Sequence, residues 1–171
     1  MGILDKLFKR TPHSGNSPER DGPGGAPELV AIDHDDYHAE HVGHTADGRQ
    51  FFLTTPFLPN FGADRPGCEF IALYLFDAQG RLLDAKIDRL GPRATMDEEH
   101  RRRLRDQRLL ELGEVTFDRI EVRPFSVERF GTEFGLVPSE VEDDPGVWTV
   151  ELLPGNYMAF WEPWDSGVYD T

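Results

Sequence analysis

Glu69-Phe-Ile-Ala-Leu-Tyr-Leu-Phe-Asp77 decides the fold. Its middle is apolar at every position, and Asp77-Ala-Gln-Gly80 closes it with a turn. Such a run reads as a central strand that is apolar on both faces and covered on both sides. Outward from it, Arg81–Asp88 returns with a more polar pattern, as an edge strand does. On the other side Gln50–Phe57 carries Phe51, Leu53, Thr55 and Phe57 on one face. Ala46-Asp47-Gly48-Arg49 precedes it; Asp-Gly is a strong hairpin signal because Gly accepts positive φ. Tyr37–His44 then supplies the partner strand, and the Pro/Asn/Gly-rich residues 58–67 form a loop.

One helix stands out beyond the edge strand. Thr95-Met96-Asp97-Glu98 fits a capping box, acidic residues 97–99 suit the positive end of the helix dipole, and Gly113 supplies the stop. Asp97–Arg101, Glu98–Arg102 and Glu99–Arg103 are spaced for i,i+4 ion pairs. Met96, Leu104 and Leu110 form a narrow apolar seam for packing on the sheet. Strands resume with Val115–Val122, which Arg123-Pro124-Phe125 ends. Thr132–Val137 and Val147–Leu153 flank an acidic loop (138–146), and Tyr157–Trp161 follows. Gly48-Arg-Gln-Phe-Phe-Leu53 is echoed by Gly131-Thr-Glu-Phe-Gly-Leu136. The expected architecture is α+β, a mostly antiparallel sheet of about eight strands with one main helix packed on it. It forms a single domain over 29–171, after a short amphipathic segment (1–10) and a flexible linker (11–28) rich in Pro and Gly.

The chain has 171 residues, one cysteine (Cys68) and a net charge of −14. A lone cysteine fits a reducing compartment. No signal peptide or spanning segment is read from the sequence, so the expectation is a cytoplasmic protein without a membrane span. Residues 1–28 hold four basic and four acidic groups and residues 95–113 five of each, leaving 9 basic against 23 acidic elsewhere. A surface of that sign repels a phosphate backbone. No direct nucleic-acid contact is therefore expected, and a basic protein is the favoured partner. The run Arg101-Arg-Arg-Leu-Arg105 reads as a salt-paired helix face, and Cys68, after Pro66-Gly67, as a packed thiol.

Two stretches concentrate candidate chemistry. Asp33-His-Asp-Asp-Tyr-His-Ala-Glu-His-Val-Gly-His44 holds four of the six histidines. On a strand, His34, Asp36, His38 and Glu40 would share a face as mixed metal ligands. A straight strand spreads alternate residues about 7 Å apart, so a solvated edge is favoured over a metal site. The terminal stretch mixes Trp161, Trp164 and Tyr169 with Glu162, Asp165 and Asp170. One reading is a ligand or partner site, with a carboxylate raised by its apolar neighbours; the favoured reading is an aromatic clamp over an open end of the sheet. The chain carries no nucleophile elbow, phosphate loop, dinucleotide fingerprint, paired Cys-x-x-Cys or His-Glu-x-x-His. No catalytic residue and no cofactor is assigned. The expectation is a non-enzymatic protein that binds another protein in a regulatory or immunity-type role. The alternative is a small-molecule binder or hydrolase-like enzyme using the Glu/Trp/Asp end.

Several short motifs carry a resemblance. Asp36-Tyr37-His38, Ala46-Asp47-Gly48, Phe76-Asp77-Ala78-Gln79-Gly80, Arg123-Pro124-Phe125, Phe134-Gly135-Leu136 and Glu162-Pro163-Trp164-Asp165 through Tyr169-Asp170-Thr171 resemble small bacterial proteins, common in actinobacteria, labelled formate hydrogenlyase regulatory protein HycA. The resemblance runs from about residue 36 to the C-terminus, and its terminal motif is the most specific part. It implies a regulator. With no helix-turn-helix and an acidic surface, it implies action through another protein. No ligand or catalytic residues come with the group.

Overall fold

A computed structural model describes residues 25–155 and 157–171. The segment 1–10 and the linker up to residue 24 lie outside the described residues. In chain order the elements are β1 (Val30–Ile32), β2 (Val42–Thr45), β3 (Gln50–Thr54), β4 (Phe57–Leu58), β5 (Cys68–Phe76) and β6 (Leu82–Gly91). A 3-10 turn (Arg93–Thr95) leads into helix α1 (Glu98–Leu110). Then come β7 (Val115–Phe117), β8 (Ile120–Val122), β9 (Phe125–Arg129), β10 (Thr132–Glu140), β11 (Trp148–Leu153) and β12 (Ala159–Phe160).

The α+β class stands, with twelve strands where about eight were expected. β1 and β9 are additions. The expected strand 115–122 breaks at Asp118-Arg119 into β7 and β8, which join different sheets. The expected strand 50–57 pauses between β3 and β4, yet its register with β5 runs on, from Gln50 opposite Phe76 to Phe57 opposite Glu69.

β5 organises the central sheet, with β3 and β4 along one edge and the outer strand β6 along the other. β2 and β7 extend the sheet beyond β3. One face of β5 presents Phe70, Ala72, Tyr74 and Phe76 to Phe134 and Leu136 of β10, Val150 and Leu152 of β11, and the β1–β8 pair. The other presents Ile71 and Leu73, which join Phe51 and Leu53 beneath Leu104, Leu109 and Leu112 of the helix region. Fully burying one such side chain contributes about 1.5–3 kcal/mol.

Both halves of the chain use the same pairing plan. β2-β3-β5-β6 and β9-β10-β11-β12 are antiparallel runs of neighbours, and the echoed hexapeptides fall on the second strand of each. Buried Gln50 joins the parts. Its amide donates to the Asp77 carbonyl (3.1 Å) and the Glu121 carbonyl (2.9 Å) and accepts from the Glu121 amide (2.8 Å).

The helix differs in detail from its expected form. Asp97, not Thr95, is the N-cap, its carboxylate accepting from the amides of Glu99 (3.0 Å) and His100 (3.2 Å). Thr95 belongs to the preceding 3-10 turn. With Asp97 committed to the cap, Arg101 turns to Glu98 (2.6 Å); of the three expected pairs Glu99–Arg103 forms, at 3.0 Å. Leu110 is 79% exposed, and Leu109 and Leu112 take its expected place against the sheet. Arg108 bonds Asp88 of β6 through two contacts of 2.8 Å, and Glu111 at 3.0 Å, clipping the helix to the outer strand. No helix among the described residues is long and apolar enough to cross a membrane.

The Tyr74 hydroxyl is buried without a hydrogen-bond partner among the described residues, and burial pushes its pKa far up. An unpaired buried hydroxyl costs about 1–3 kcal/mol. Tyr74→Phe is therefore expected to raise the unfolding free energy by about 1 kcal/mol in urea titrations; a loss of stability would show that the hydroxyl is satisfied.

Candidate functional site

The histidine-rich run leaves the expected strand because Asp35 captures its backbone. Asp35 Oδ1 accepts from the amides of Tyr37 (2.8 Å) and Ala39 (3.0 Å), and the Asp35 amide donates to the Ala39 carbonyl (3.2 Å). Local bonds of this kind compete with a strand ladder, and β2 starts at Val42 rather than at Tyr37. Loss of the strand also loses the alternation on which a metal site depended. His34 stacks on Phe117 (centroids 5.6 Å) and its ring Nε2 donates to the Glu40 carbonyl at 3.0 Å. His38 instead lies among Tyr37, Tyr157 and Tyr169. His34 thus meets the backbone of Glu40 and not its carboxylate, and no group of three or more His, Cys, Asp or Glu among the described residues is placed to hold a metal ion.

The C-terminal stretch folds back against this turn as a strap. The Ala31 amide donates to the Trp164 carbonyl (2.9 Å) and the Asp33 amide to the Gly167 carbonyl (3.0 Å). Asp170 exchanges backbone bonds with Ala159 at 2.8 and 2.9 Å. Gly167 has φ 75°, and a Cβ there would run into the Asp33 carboxylate, so the crossing needs glycine. Trp164 and Tyr169 pack against the main core, whereas Trp161 is 40% exposed. Asp165 gives its carbonyl to Arg119, which also pairs with Asp33 at 3.0 Å. Asp165 and Asp170 therefore bond through their backbone, and none of Glu162, Asp165 and Asp170 lines the groove that Tyr169 reaches.

Strap and turn meet at Asp35 and Tyr169. The Tyr169 hydroxyl donates to Asp35 Oδ2 at 2.5 Å and accepts from the His38 amide at 3.1 Å. Burial and the adjacent carboxylate push the Tyr169 phenol up to about 12. Burial acts to raise Asp35, but the bonds from Tyr169, Tyr37 and Ala39 outweigh it and hold the carboxyl below its ordinary value. Burial lowers His38 against the opposing pull of Asp35, and burial also lowers His41.

Two depressions adjoin this junction and share Tyr37. One is an open groove of about 540 Å³ lined by Asp33, Asp35, Asp36, Tyr37, Val168 and Tyr169, among others. The other is a cleft of about 200 Å³ between the turn, the end of β3 and α1, where His38 and His41 face Arg101 and Arg105. Its wall includes Tyr157, whose hydroxyl lies 2.5 Å from Thr54 Oγ1. Sequence reasoning passed over Asp35, Tyr37, His41, Arg101, Arg105 and Tyr157 as site residues. An aspartate two residues before Tyr37 and four before Ala39 is an Asx-turn signal that could have found the first of them. No protein-family model, curated protein or solved structure matches the chain.

Two outcomes follow from the junction. Tyr169→Phe removes the bonds to Asp35 and His38 and is expected to cost about 1–2 kcal/mol in chemical denaturation; no change would show the strap is held without them. The second concerns acid. Unfolding returns His38 and His41 to an ordinary pKa of about 6.5, so the unfolded chain binds more protons below that pH and stability falls there. The melting temperature should drop between about pH 7 and pH 5.5, and less so in the His38→Gln/His41→Gln double variant.

Proposed function

We propose that the protein acts by binding another, basic protein, in a regulatory or immunity-type role within the cytoplasm, and not as an enzyme. The observation that carries this reading is the groove beside the strap. Asp33, Asp35 and Asp36 line it, no cationic side chain among the described residues does, and Tyr37 (69% exposed) and Val168 (67% exposed) stand out from it. An exposed aromatic amid complementary charge is the composition of a protein-binding patch. Arg119 reaches Asp33, while Asp35 is fixed by the turn, which leaves Asp36 to meet an incoming cation. The long-range field agrees, because the net −14 steers basic partners inward.

The likeness to the HycA-labelled proteins supports the same reading, since a regulator with this charge acts more readily on a protein than on DNA. The terminal Glu/Trp/Asp end is less favoured as an enzyme site: none of its three acids lines the groove, and its backbone ties the strap down.

Tagged full-length protein and the Asp36→Lys/Tyr37→Ala variant should be compared in affinity capture at low salt, with melting temperatures measured on both. The expected result is a specific basic partner that the variant loses at unchanged stability, and that about 0.5 M salt weakens. Equal capture by the variant, or repeated recovery of no partner, would overturn the reading.

A further inference from the structure

The cleft on the other side of Tyr37 has the opposite electrostatic character. Arg101 and Arg105 stand one helical turn apart on the same face of α1, and both line it. Their side chains are 28% and 30% exposed. Each guanidinium is held from one side. Arg101 gives Nε and Nη2 to Glu98, and Arg105 gives Nε and Nη2 to Asp106. Nη1 of each arginine takes no hydrogen bond among the described residues. Across the cleft, burial keeps His38 and His41 neutral at pH 7, so each ring retains one N–H donor. Among the described residues, Glu40 is the one carboxylate in the lining. In a chain of net charge −14, this is a local concentration of unspent donors.

We propose that this cleft binds a compact oxyanion, a phosphate or carboxylate group on a small molecule, between Arg101 and Arg105. Guanidinium donors match such groups in geometry and charge. A volume of about 200 Å³ is below the range of about 300–1,000 Å³ typical of drug-sized ligands, so the site suits the anionic group with few further atoms. Tyr37, His41, Thr54 and Thr55 close the sides. The site stands independently of the docking groove, sharing Tyr37 alone with it.

The test is an NMR titration of the full chain at constant ionic strength, with separate arms for inorganic phosphate, methyl phosphate, acetate and chloride. Saturable shifts confined to the cleft are expected in at least one oxyanion arm and not in the chloride arm. A phosphate or methyl phosphate response identifies a phosphoryl ligand, and an acetate response a carboxylate. Arg101→Gln and Arg105→Gln should each weaken that binding about tenfold, as expected for loss of a charge-assisted bond. Arg103→Gln, whose arginine pairs with Glu99 and does not line the cleft, should leave it unchanged. The amide spectrum of each variant reports its fold directly. A response to chloride equal to that of the oxyanions, no saturation in any arm, or equal weakening by Arg103→Gln would overturn the proposal.

Discussion

A strand that is apolar on both faces cannot border water on either, and β5 imposes that condition on everything around it. Phe70, Tyr74 and Phe76 require a second sheet, which β9 to β12 supply together with the β1–β8 pair. Ile71 and Leu73 require a different cover, and α1 with its following turn supplies it. Three layers follow from one short segment. The helix must cross the outer surface at the height of β3 and β5, which is why its arginines come to stand over the end of β3. The cleft is thus a by-product of covering β5.

Where layers meet, the chain fixes its geometry with polar groups rather than more apolar area. Gln50 spends both ends of its amide on backbone groups of two other segments. Asp35 does the same for the turn and then reaches the C-terminal strap through Tyr169. Buried and half-buried polar groups satisfied this way specify a single arrangement, because any shift strands a donor or acceptor. The Asp35–Tyr169 bond sets the height of Tyr37, and with it the shape of the acidic groove on one side and the arginine cleft on the other. A surface that attracts cations and a recess that suits anions lie side by side because one turn separates them.

The sequence made the fold class legible at β5, at the Asp47-Gly48 hairpin and at the helix, where hydrophobic period and turn chemistry agree. It was less legible where tertiary pairing divides a continuous pattern. Residues 115–122 read as one strand, yet Asp118-Arg119 sends β7 to β2 and β8 to β1. Nothing local in that octapeptide encodes two destinations. The histidine run misled for the reverse reason. Its alternation was strand-like, but the Asp35 side chain offered the backbone a closer partner. The terminal stretch was rightly singled out as packed, through Trp164 and Tyr169. Its acids drew notice by composition, and the backbone role of Asp165 and Asp170 is invisible to it. Arg101 and Arg105 were read as one face of a salt-paired helix; their second role depends on what lies across from them, which the helix's own sequence does not record.

The helix that completes the three layers has no fully buried residue, and it is held to β6 by exchangeable charge contacts through Arg108 and Lys86. Elements with little buried apolar contact open at low free-energy cost, well short of global unfolding. Lifting α1 would bare Phe51, Leu53, Ile71 and Leu73 as one continuous sticky face while leaving the inter-sheet core intact. Amide hydrogen exchange along α1 would then run ahead of that in β5. Added salt would screen the Arg108–Asp88 contact and so favour this opening without touching the inter-sheet core.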